Sequence, residues 1–273
     1  MKNKIKTEAE LRQEDLERIS RLRLLDDDFL VTFFTDNIED TETLLRTILD
    51  KKDLKVKSVQ TQRPIRNLVR RSLALDIYAE DEDGARMDVE IQRASAGASP
   101  KRARFHSSMM DVDAMRKRAD WKELPESFVI FITETDVLHA GQPIYHIDRH
   151  IRETDSSFED EAHIIYVNGA NDEDTDLGKM MHDFRCTSAE ELYNRKWAEK
   201  FKYYKESEEG VKKMSSVLDE MKMEAVWQEK AKSVFRWLAM GVSVEDIAKG
   251  EDLPVEEVKE IIEQNSALMA GQR

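Results

Sequence analysis

The sequence is poor in cysteine, in long apolar runs and in positive charge. Its 273 residues include one cysteine, Cys186, so no disulfide can form within the chain and a reducing cytoplasm is the expected setting. No run of about 18 apolar residues offers a membrane span, and no membrane association is expected. The formal net charge of −14 argues against indiscriminate nucleic-acid binding, because phosphate contacts need Lys and Arg.

The chain also lacks internal repeats and low-complexity linkers. Residues 1–19 carry basic side chains without a following apolar core, so they do not indicate a secretory signal. The length suits one main domain with a sizeable core and a smaller appendage. We therefore expect a polar, cytoplasmic protein with one principal domain.

Apolar spacing predicts a mixed α/β order in the N-terminal part. Residues 8–50 have helical periodicity, whereas residues 56–92 form short alternating runs typical of a strand meander. Ser99 and Pro100 suit the start of the next helix. Three later apolar runs predict strands, the first of them buried and central: 126–135, 143–151 and 163–169.

The pattern after Phe184 is helical and strongly charged. It predicts two domains, residues 1–185 and an α-helical region of residues 186–273, with a Ser188 to Glu191 capping spacing near its start. The last segment has a helix-turn-helix-like layout. Its final helix is rich in glutamate, which argues against DNA reading, because a recognition helix needs donors for base edges and phosphates.

The stretch LALDIYAEDEDGARMDVEIQ, residues 73–92, predicts a β-hairpin with unequal faces. A turn centred on Asp83, with Gly84 in the loop, sets Asp76 opposite Glu90 and Tyr78 opposite Asp88. One face is then apolar, and the other carries Asp76, Asp88, Glu90 and Gln92.

Two interpretations of the polar face stay open. An amphipathic hairpin turns its acids toward water, or the acids hold a cation. Directly opposed residues have Cβ atoms about 5 Å apart, so like charges there repel each other, and a bridging cation removes that penalty. Carboxylate oxygens are ligands that Mg²⁺ prefers, with coordination sites left for water and a substrate phosphate.

Two basic segments flank the hairpin. Each is interpreted either as a solvated face or as part of a phosphate-binding rim around the carboxylates. The upstream segment, RPIRNLVRR, contains Arg63, Arg66, Arg70 and Arg71, and the downstream cluster contains Arg93, Lys101, Arg102 and Arg104.

Other residues with suitable chemistry carry weaker patterns. His146, Asp148 and His150 alternate along the sequence, which suits either metal ligands on one strand face or a polar edge strand. His106 suits packing or a phosphate contact. The acids Asp26, Asp27 and Asp28 favour a helix N-terminus, and whether one of them approaches the hairpin stays open.

The ordered segments resemble a known family. An Asp on one strand, a turn, Glu-x-Gln on the next strand and a helix opening with Lys and Arg resemble the PD-(D/E)XK nuclease superfamily. More narrowly, the chain resembles the Rpn-type recombination-promoting nucleases and PD-(D/E)XK nuclease family transposases. The resemblance covers roughly residues 20–220. Its matching segments are LLDDDFLVTFFTDN, LALDIYAEDEDGARMDVEIQRA, PKRARFHSSMMD, LPESFVIFITETDVL, PIYHID, HIIYVNG and LGKMMHDF.

This resemblance implies an α/β fold with a restriction-endonuclease-like αβββαβ core and an α-helical C-terminal extension. It implies that Asp76 and Glu90 bind the metal, Mg²⁺ or alternatively Mn²⁺, and that Gln92 completes the catalytic set. Gln92 stands where many superfamily members have Lys, and it can hydrogen-bond but brings no charge. The implied chemistry is that the metal acidifies a water and polarises a phosphodiester while Gln92 positions the nucleophile. Asp88 is a candidate to support these ligands.

Three hypotheses follow. The first is a metal-dependent DNA endonuclease acting in recombination or on mobile-element DNA, and retention of both carboxylates favours it. The second is a decayed nuclease core acting as a DNA-binding or regulatory module, and the third is an interaction module built on the C-terminal helices. Because cutting both strands usually needs two active sites, the first also favours a homodimer. Its predicted DNA contacts are Arg63, Arg66, Arg93, Lys101, Arg102 and Arg104.

Overall fold

The computed structural model describes residues 8–65, 73–115, 118 and 120–269. These residues form two compact units, one of residues 74–215 with the described residues before 66, and one of residues 216–269. The domain boundary expected after residue 185 stays a prediction.

Helices and strands follow the predicted order. The helices are α1 (Glu8–Ser20), α2 (Asp27–Phe34), α3 (Ile38–Leu49), α4 (Pro100–Ala114), α5 (Asp176–Arg185), α6 (Arg195–Glu206), α7 (Glu208–Ala239), α8 (Val244–Gly250) and α9 (Val255–Met269). The strands are β1 (Val56–Ile65), β2 (Leu73–Asp81), β3 (Arg86–Gln92), β4 (Ser127–Thr133), β5 (Ile144–Ile147), β6 (His150–Ile151), β7 (Ser156–Ser157) and β8 (Ala162–Asn168). Short 3₁₀ turns lie at Ser95–Ala98, Trp121–Glu123 and Ala189–Glu191.

A six-stranded mixed sheet is the centre of the first unit. Its strand order is β1-β2-β3-β4-β8-β5. Strands β3, β4 and β8 run parallel, whereas β2 pairs antiparallel with β3 and β5 pairs antiparallel with β8. Helix α4 lies against β1, β4 and β8, and α3 lies against β1. The succession α3, β1, β2, β3, α4, β4 is the expected αβββαβ core, so the fold prediction is confirmed.

The hairpin of β2 and β3 has the predicted register. Ile77 pairs with Val89 and Tyr78 with Asp88. Gly84 has φ +89°, a conformation that glycine adopts without strain, and the Asp81 carboxylate accepts from the backbone amide of Ala85 at 2.8 Å. This turn chemistry explains why the chain reverses where the sequence predicts.

Strand β4 is buried along its whole length, as its apolar sequence predicts. It lies between β3 and β8 in the middle of the sheet, and helices cover it. A strand covered on both faces reads as a continuous apolar run rather than an alternating one. Its neighbour β3 is buried almost as completely, so polar residues on β3 are carried into the interior.

Helices α2 and α6 join through an aromatic cluster. Phe29, Phe33 and Phe34 of α2 meet Trp197 and Phe201 of α6, with ring centroids 4.9 Å apart for Phe29 and Phe201 and 5.9 Å apart for Phe33 and Trp197. All five side chains are buried. The cluster places α6 in the hydrophobic core of the first unit.

The start of α6 corrects one expectation. The predicted capping box at Ser188 is wrong, because the Ser188 hydroxyl donates to Glu190 and only a short 3₁₀ turn follows. Asn194 caps α6 instead, and its side-chain oxygen accepts from the backbone amide of Trp197 at 3.2 Å. Local competition between side-chain acceptors decides which polar residue begins the helix.

The second unit has its own small core. Residues of α7, α8 and α9 form it: Ala231, Val234, Ile247, Ala248, Val258 and Ile261. Ser243 caps α8, and its side-chain oxygen accepts from the backbone amide of Asp246. Helix α9 exposes Glu256, Glu260 and Glu263. Among the described residues, no helix is long and apolar enough to cross a membrane.

We expect Phe33→Ala to lower the free energy of unfolding by about 3–5 kcal/mol, because it leaves a cavity between α2 and α6. Urea denaturation followed by circular dichroism measures this change. Phe158 is 57% exposed, and Phe158→Ala should change the free energy of unfolding by less than about 0.5 kcal/mol. Equal effects of the two substitutions would contradict the assignment of α6 to this core.

Candidate metal centre

Two acids of the hairpin, Asp88 and Glu90, lie inside the protein. Asp88 is fully buried and Glu90 is 1% exposed, because Arg102 and His106 of α4 lie against them and β4 flanks β3 in the sheet. The interpretation that these acids turn toward water is therefore wrong. Burying carboxylates is costly unless they are hydrogen-bonded, paired or protonated, so their partners define the site.

The carboxylates of Asp76 and Glu90 each accept a hydrogen bond from a backbone amide of the opposite strand. The backbone amide of Asp76 donates to Glu90 Oε1 at 3.0 Å, and the backbone amide of Ile91 donates to Asp76 Oδ2 at 3.1 Å. The predicted pairing of these two carboxylates across the hairpin is thus present. Each group retains further lone pairs that can accept other bonds.

Asp88 pairs with a histidine of α4. His106 Nδ1 lies 2.8 Å from Asp88 Oδ2 and 3.9 Å from Glu90 Oε1. The other oxygen, Asp88 Oδ1, is buried and accepts no hydrogen bond from the described residues. A buried carboxylate oxygen without a hydrogen bond is unusual, and a proton or a cation there would satisfy it. A hydrogen bond with Glu90 partly offsets the effect of burial on the pKa of Asp88.

Arg102, one helical turn before His106, closes the site on its outer side. Its guanidinium donates to Glu90 Oε2 at 3.2 Å, to Gln92 Oε1 at 3.0 Å and to the Gly97 carbonyl at 3.2 Å. Its Nε donates to His106 Nε2 at 3.3 Å. Because Arg can only donate, His106 Nε2 accepts this hydrogen bond. Nδ1 of the neutral imidazole then carries the hydrogen and donates it in a hydrogen bond to Asp88.

The chain beside Gln92 leaves no room for a side chain at residue 97 while the Gln92 amide keeps its position. A Cβ atom added at Gly97 would lie 2.0 Å from Gln92 Oε1 and 3.5 Å from the Arg102 guanidinium. The 3₁₀ turn Ser95–Ala98 therefore approaches so closely that it fixes the Gln92 amide against Arg102.

Burial raises the pKa of all three carboxyl groups. Loss of water, with the negative charge of Asp27 nearby, raises the pKa of Asp76 to about 6. Burial and the charges of Asp88 and Asp76 raise the pKa of Glu90 to about 10. The pKa of Asp88 lies well above its ordinary value for the same first cause, followed by the charge of Asp76. Without a cation, the cluster therefore holds protons at neutral pH.

The donor set fits a divalent cation. One ligand atom each from Asp88, Glu90 and His106 lie within 4.8 Å of one another, and Asp76 adjoins Glu90. Carboxylate oxygens suit Mg²⁺ and Mn²⁺, and the unpaired Asp88 Oδ1 lacks a positive partner. Both nitrogens of His106 already serve Asp88 and Arg102, so the carboxylates are the better ligands.

Asp27 adjoins this centre on the open side. Together with α1 and the end of β3, it lines a cleft of about 760 Å³ that reaches Gln92 and Arg93. Its negative charge contributes to the raised pKa of Asp76. One of the three acids at the start of α2 thus approaches the hairpin, whereas Asp26 pairs with Arg93 at 2.8 Å.

The predicted basic contacts divide into paired and exposed groups. Arg63 pairs with Asp113 at 2.7 Å and lies over the Tyr78 ring, and Arg93 pairs with Asp26 and Glu134. Lys101 and Arg104 are exposed on α4. Arg66 lies outside the described residues.

His146, Asp148 and His150 do not form one cluster on a strand face. His146 lies on β5, an edge strand, Asp148 pairs with His163 at 2.6 Å, and His150 pairs with Asp155 in the β6 to β7 hairpin. The alternative of a polar edge strand describes this segment.

The structure adds residues that the sequence patterns did not single out as a unit. Arg102 and His106 are four residues apart on α4, a spacing that puts both on one helix face. That spacing is readable from the sequence. Which strand the face meets is not, because it depends on how α4 packs on the sheet.

Comparison with known proteins gives one family. A family model described as "PD-(D/E)XK nuclease family transposase" matches residues 36–233, which include β1 to β8, α4 and the whole carboxylate cluster. No curated protein and no solved structure gave a significant match.

We expect cation binding to release protons, because ionised carboxylates are the ligands and the metal-free cluster is partly protonated. Mn²⁺ titrations by calorimetry at pH 7, in buffers of different ionisation enthalpy, should show about one proton released per cation. Affinity should rise between pH 6 and pH 8. Glu90→Gln should reduce both the release and the affinity, and pH-independent binding would contradict the site.

Stability of the metal-free protein depends on pH in the opposite direction to cation affinity. Stabilisation from the raised pKa of Asp76 is complete below its ordinary pKa near 4 and is lost as the pH rises through about 6. Added Mn²⁺ should therefore raise the melting temperature more at pH 8 than at pH 5.5.

Proposed function

The chain belongs to the PD-(D/E)XK nuclease family transposases, and from this membership we propose that it is a metal-dependent DNA endonuclease acting in recombination or on mobile-element DNA. One observation in this structure supports metal-dependent chemistry independently of the family. The hairpin buries Asp88 and Glu90 and sets the half-buried Asp76 beside them, next to a cleft that reaches Gln92. A merely structural hairpin has no need to gather three mutually repelling carboxylates and bury two of them.

In this proposal Asp76 and Glu90 hold the cation, and Asp88 and His106 support Glu90 from the interior. A bound Mg²⁺ or Mn²⁺ supplies Lewis-acid chemistry, polarising the phosphodiester and lowering the pKa of water. Gln92 orients the attacking water through its amide. Water oxygen bonds to phosphorus, the bond from phosphorus to one sugar oxygen breaks, the water proton goes to solvent, and the leaving oxygen takes a proton from solvent.

The DNA backbone follows the exposed basic side of α4. Lys101 and Arg104 are exposed there, one residue before and two residues after Arg102. A protein of net charge −14 repels DNA at long range, so these local cations determine where the duplex can approach. Cleavage of both strands would use two centres, which a homodimer provides; a strict monomer by light scattering, with and without DNA, would count against that arrangement.

We expect the purified protein to nick or linearise supercoiled plasmid in Mg²⁺ or Mn²⁺, and Asp76→Asn and Glu90→Gln to abolish this activity. These neutral, isosteric changes remove the charge that holds the cation. They should leave the fold intact, because burial already disfavours the charged forms. Gel electrophoresis of the plasmid forms measures the cleavage, and thermal unfolding checks the fold.

Matched controls lie on the same hairpin. Glu82 and Asp83 are exposed in its turn, so Glu82→Gln and Asp83→Asn should cleave like the wild type. Cleavage by the Asp76 and Glu90 variants at the wild-type rate would refute the assigned centre. If the wild type binds DNA and Mn²⁺ but cuts nothing, a decayed nuclease acting as a DNA-binding module becomes the better description.

A further inference from the structure

Residue 92 leaves an electrostatic requirement of the proposed reaction unmet. Phosphodiester hydrolysis builds negative charge on the phosphoryl oxygens and on the leaving oxygen, and fixed positive groups lower that barrier. Gln92 contributes a neutral amide. With the carboxylates supplying further negative charge, a protein cation is expected close to Gln92.

Arg102 is the cation that meets this requirement. Its guanidinium contacts both Glu90 and Gln92, so it lies at the position where a positive side chain at residue 92 would act. Its side chain is 38% exposed while Glu90 is 1% exposed, which places the guanidinium between Glu90 and solvent. A substrate phosphate therefore meets Arg102 before it reaches Glu90.

The guanidinium is held in place from several directions. The Gly97 carbonyl and His106 Nε2 each accept one of its N–H groups, and it lies 5.9 Å from the centre of the Phe131 ring. His106 is in turn oriented by Asp88. Fixed donors of this kind need no reorganisation during the reaction, which is what makes such groups effective.

Neighbouring cations are less suited. Arg93 pairs with Asp26 and Glu134, and Arg63 pairs with Asp113 beneath the hairpin. Lys101 and Arg104 are exposed on other sides of α4. Arg102 is the one of these five that bonds to both Glu90 and Gln92.

We propose that Arg102 is the cationic catalytic residue of this centre, contacting the scissile phosphate and carrying the positive charge that Gln92 does not supply. The proposal rests on the endonuclease function above and deepens it. It separates Arg102 from Lys101 and Arg104, which contact the DNA backbone away from the scissile bond. Besides supporting Glu90, His106 positions Arg102, and Asp88 orients His106.

The test compares Arg102→Gln with Arg152→Gln, a control of equal charge change on an exposed loop residue. At saturating DNA, single-turnover cleavage should fall by about 10²–10³-fold in Arg102→Gln, the usual loss for one transition-state donor, and stay unchanged in the control. A second variant, Gln92→Lys with Arg102→Gln, returns a positive charge to the same place and should recover at least about tenfold of the lost rate.

Mn²⁺ affinity gives a readout that does not depend on cleavage. Removing a positive charge beside Glu90 should tighten Mn²⁺ binding by about fivefold in Arg102→Gln, by Coulomb's law, and leave it unchanged in Arg152→Gln. A structural role alone predicts the reverse, since a loosened hairpin binds the cation more weakly.

The outcomes separate the two proposals. Wild-type cleavage with an equally active Arg102→Gln variant, weaker Mn²⁺ binding by that variant, or no recovery in the double variant overturns the role of Arg102 and leaves the endonuclease standing. Absence of wild-type cleavage in Mn²⁺ overturns the endonuclease and the role of Arg102 with it.

Discussion

Gathering three carboxylates and taking two of them out of water is the constraint on which the rest of the centre depends. Asp76, Asp88 and Glu90 repel one another, and Asp88 and Glu90 lose their hydration where side chains of α4 lie against β3. Such a cluster is compatible with a stable fold only if protons, hydrogen-bond donors or a cation neutralise it. The raised pKa values, the His106 bond and the Arg102 ion pair are three responses to the same constraint.

Helix α4 provides the two side chains, Arg102 and His106, that bond to the buried carboxylates. Ser99 caps the helix and Pro100 occupies its first turn, so its start is set by local chemistry. From that start, the helical repeat brings Arg102 and His106 to one face, toward β3. Gly97 allows the preceding turn to pass close beside Gln92, which completes the contact between loop, strand and helix.

The absence of a positive charge at residue 92 and the presence of one on α4 belong together. A lysine at that position would compete with Arg102 for Glu90, and two adjacent cations at one carboxylate repel. A positive side chain can therefore be placed beside Glu90 either from residue 92 on β3 or from residue 102 on α4. The acidic second unit contrasts with this basic rim, because α9 exposes glutamates where a DNA-reading helix needs donors.

Sequence periodicity predicted the element order and the hairpin register, because these depend on local spacing, whereas the family was identified from the resemblance of several ordered segments. Alternation along β2 and β3, the turn around Gly84 and the continuous apolar run of β4 are properties of neighbouring residues. The capping prediction at Ser188 failed for a related reason, since several local acceptors compete and spacing alone does not rank them.

Ion pairs between residues far apart in the chain could not be predicted from the sequence. Nothing in the sequence distinguishes Arg63 and Arg93, which are paired with Asp113, Asp26 and Glu134, from the exposed Lys101 and Arg104. The sequence by itself determined which residues carry acids and in what register they face each other. Only the tertiary structure decided that Asp88 and Glu90 are buried and that Arg102 pairs with Glu90. Both depend on where α4 lies relative to β3, which is set by packing of the whole sheet.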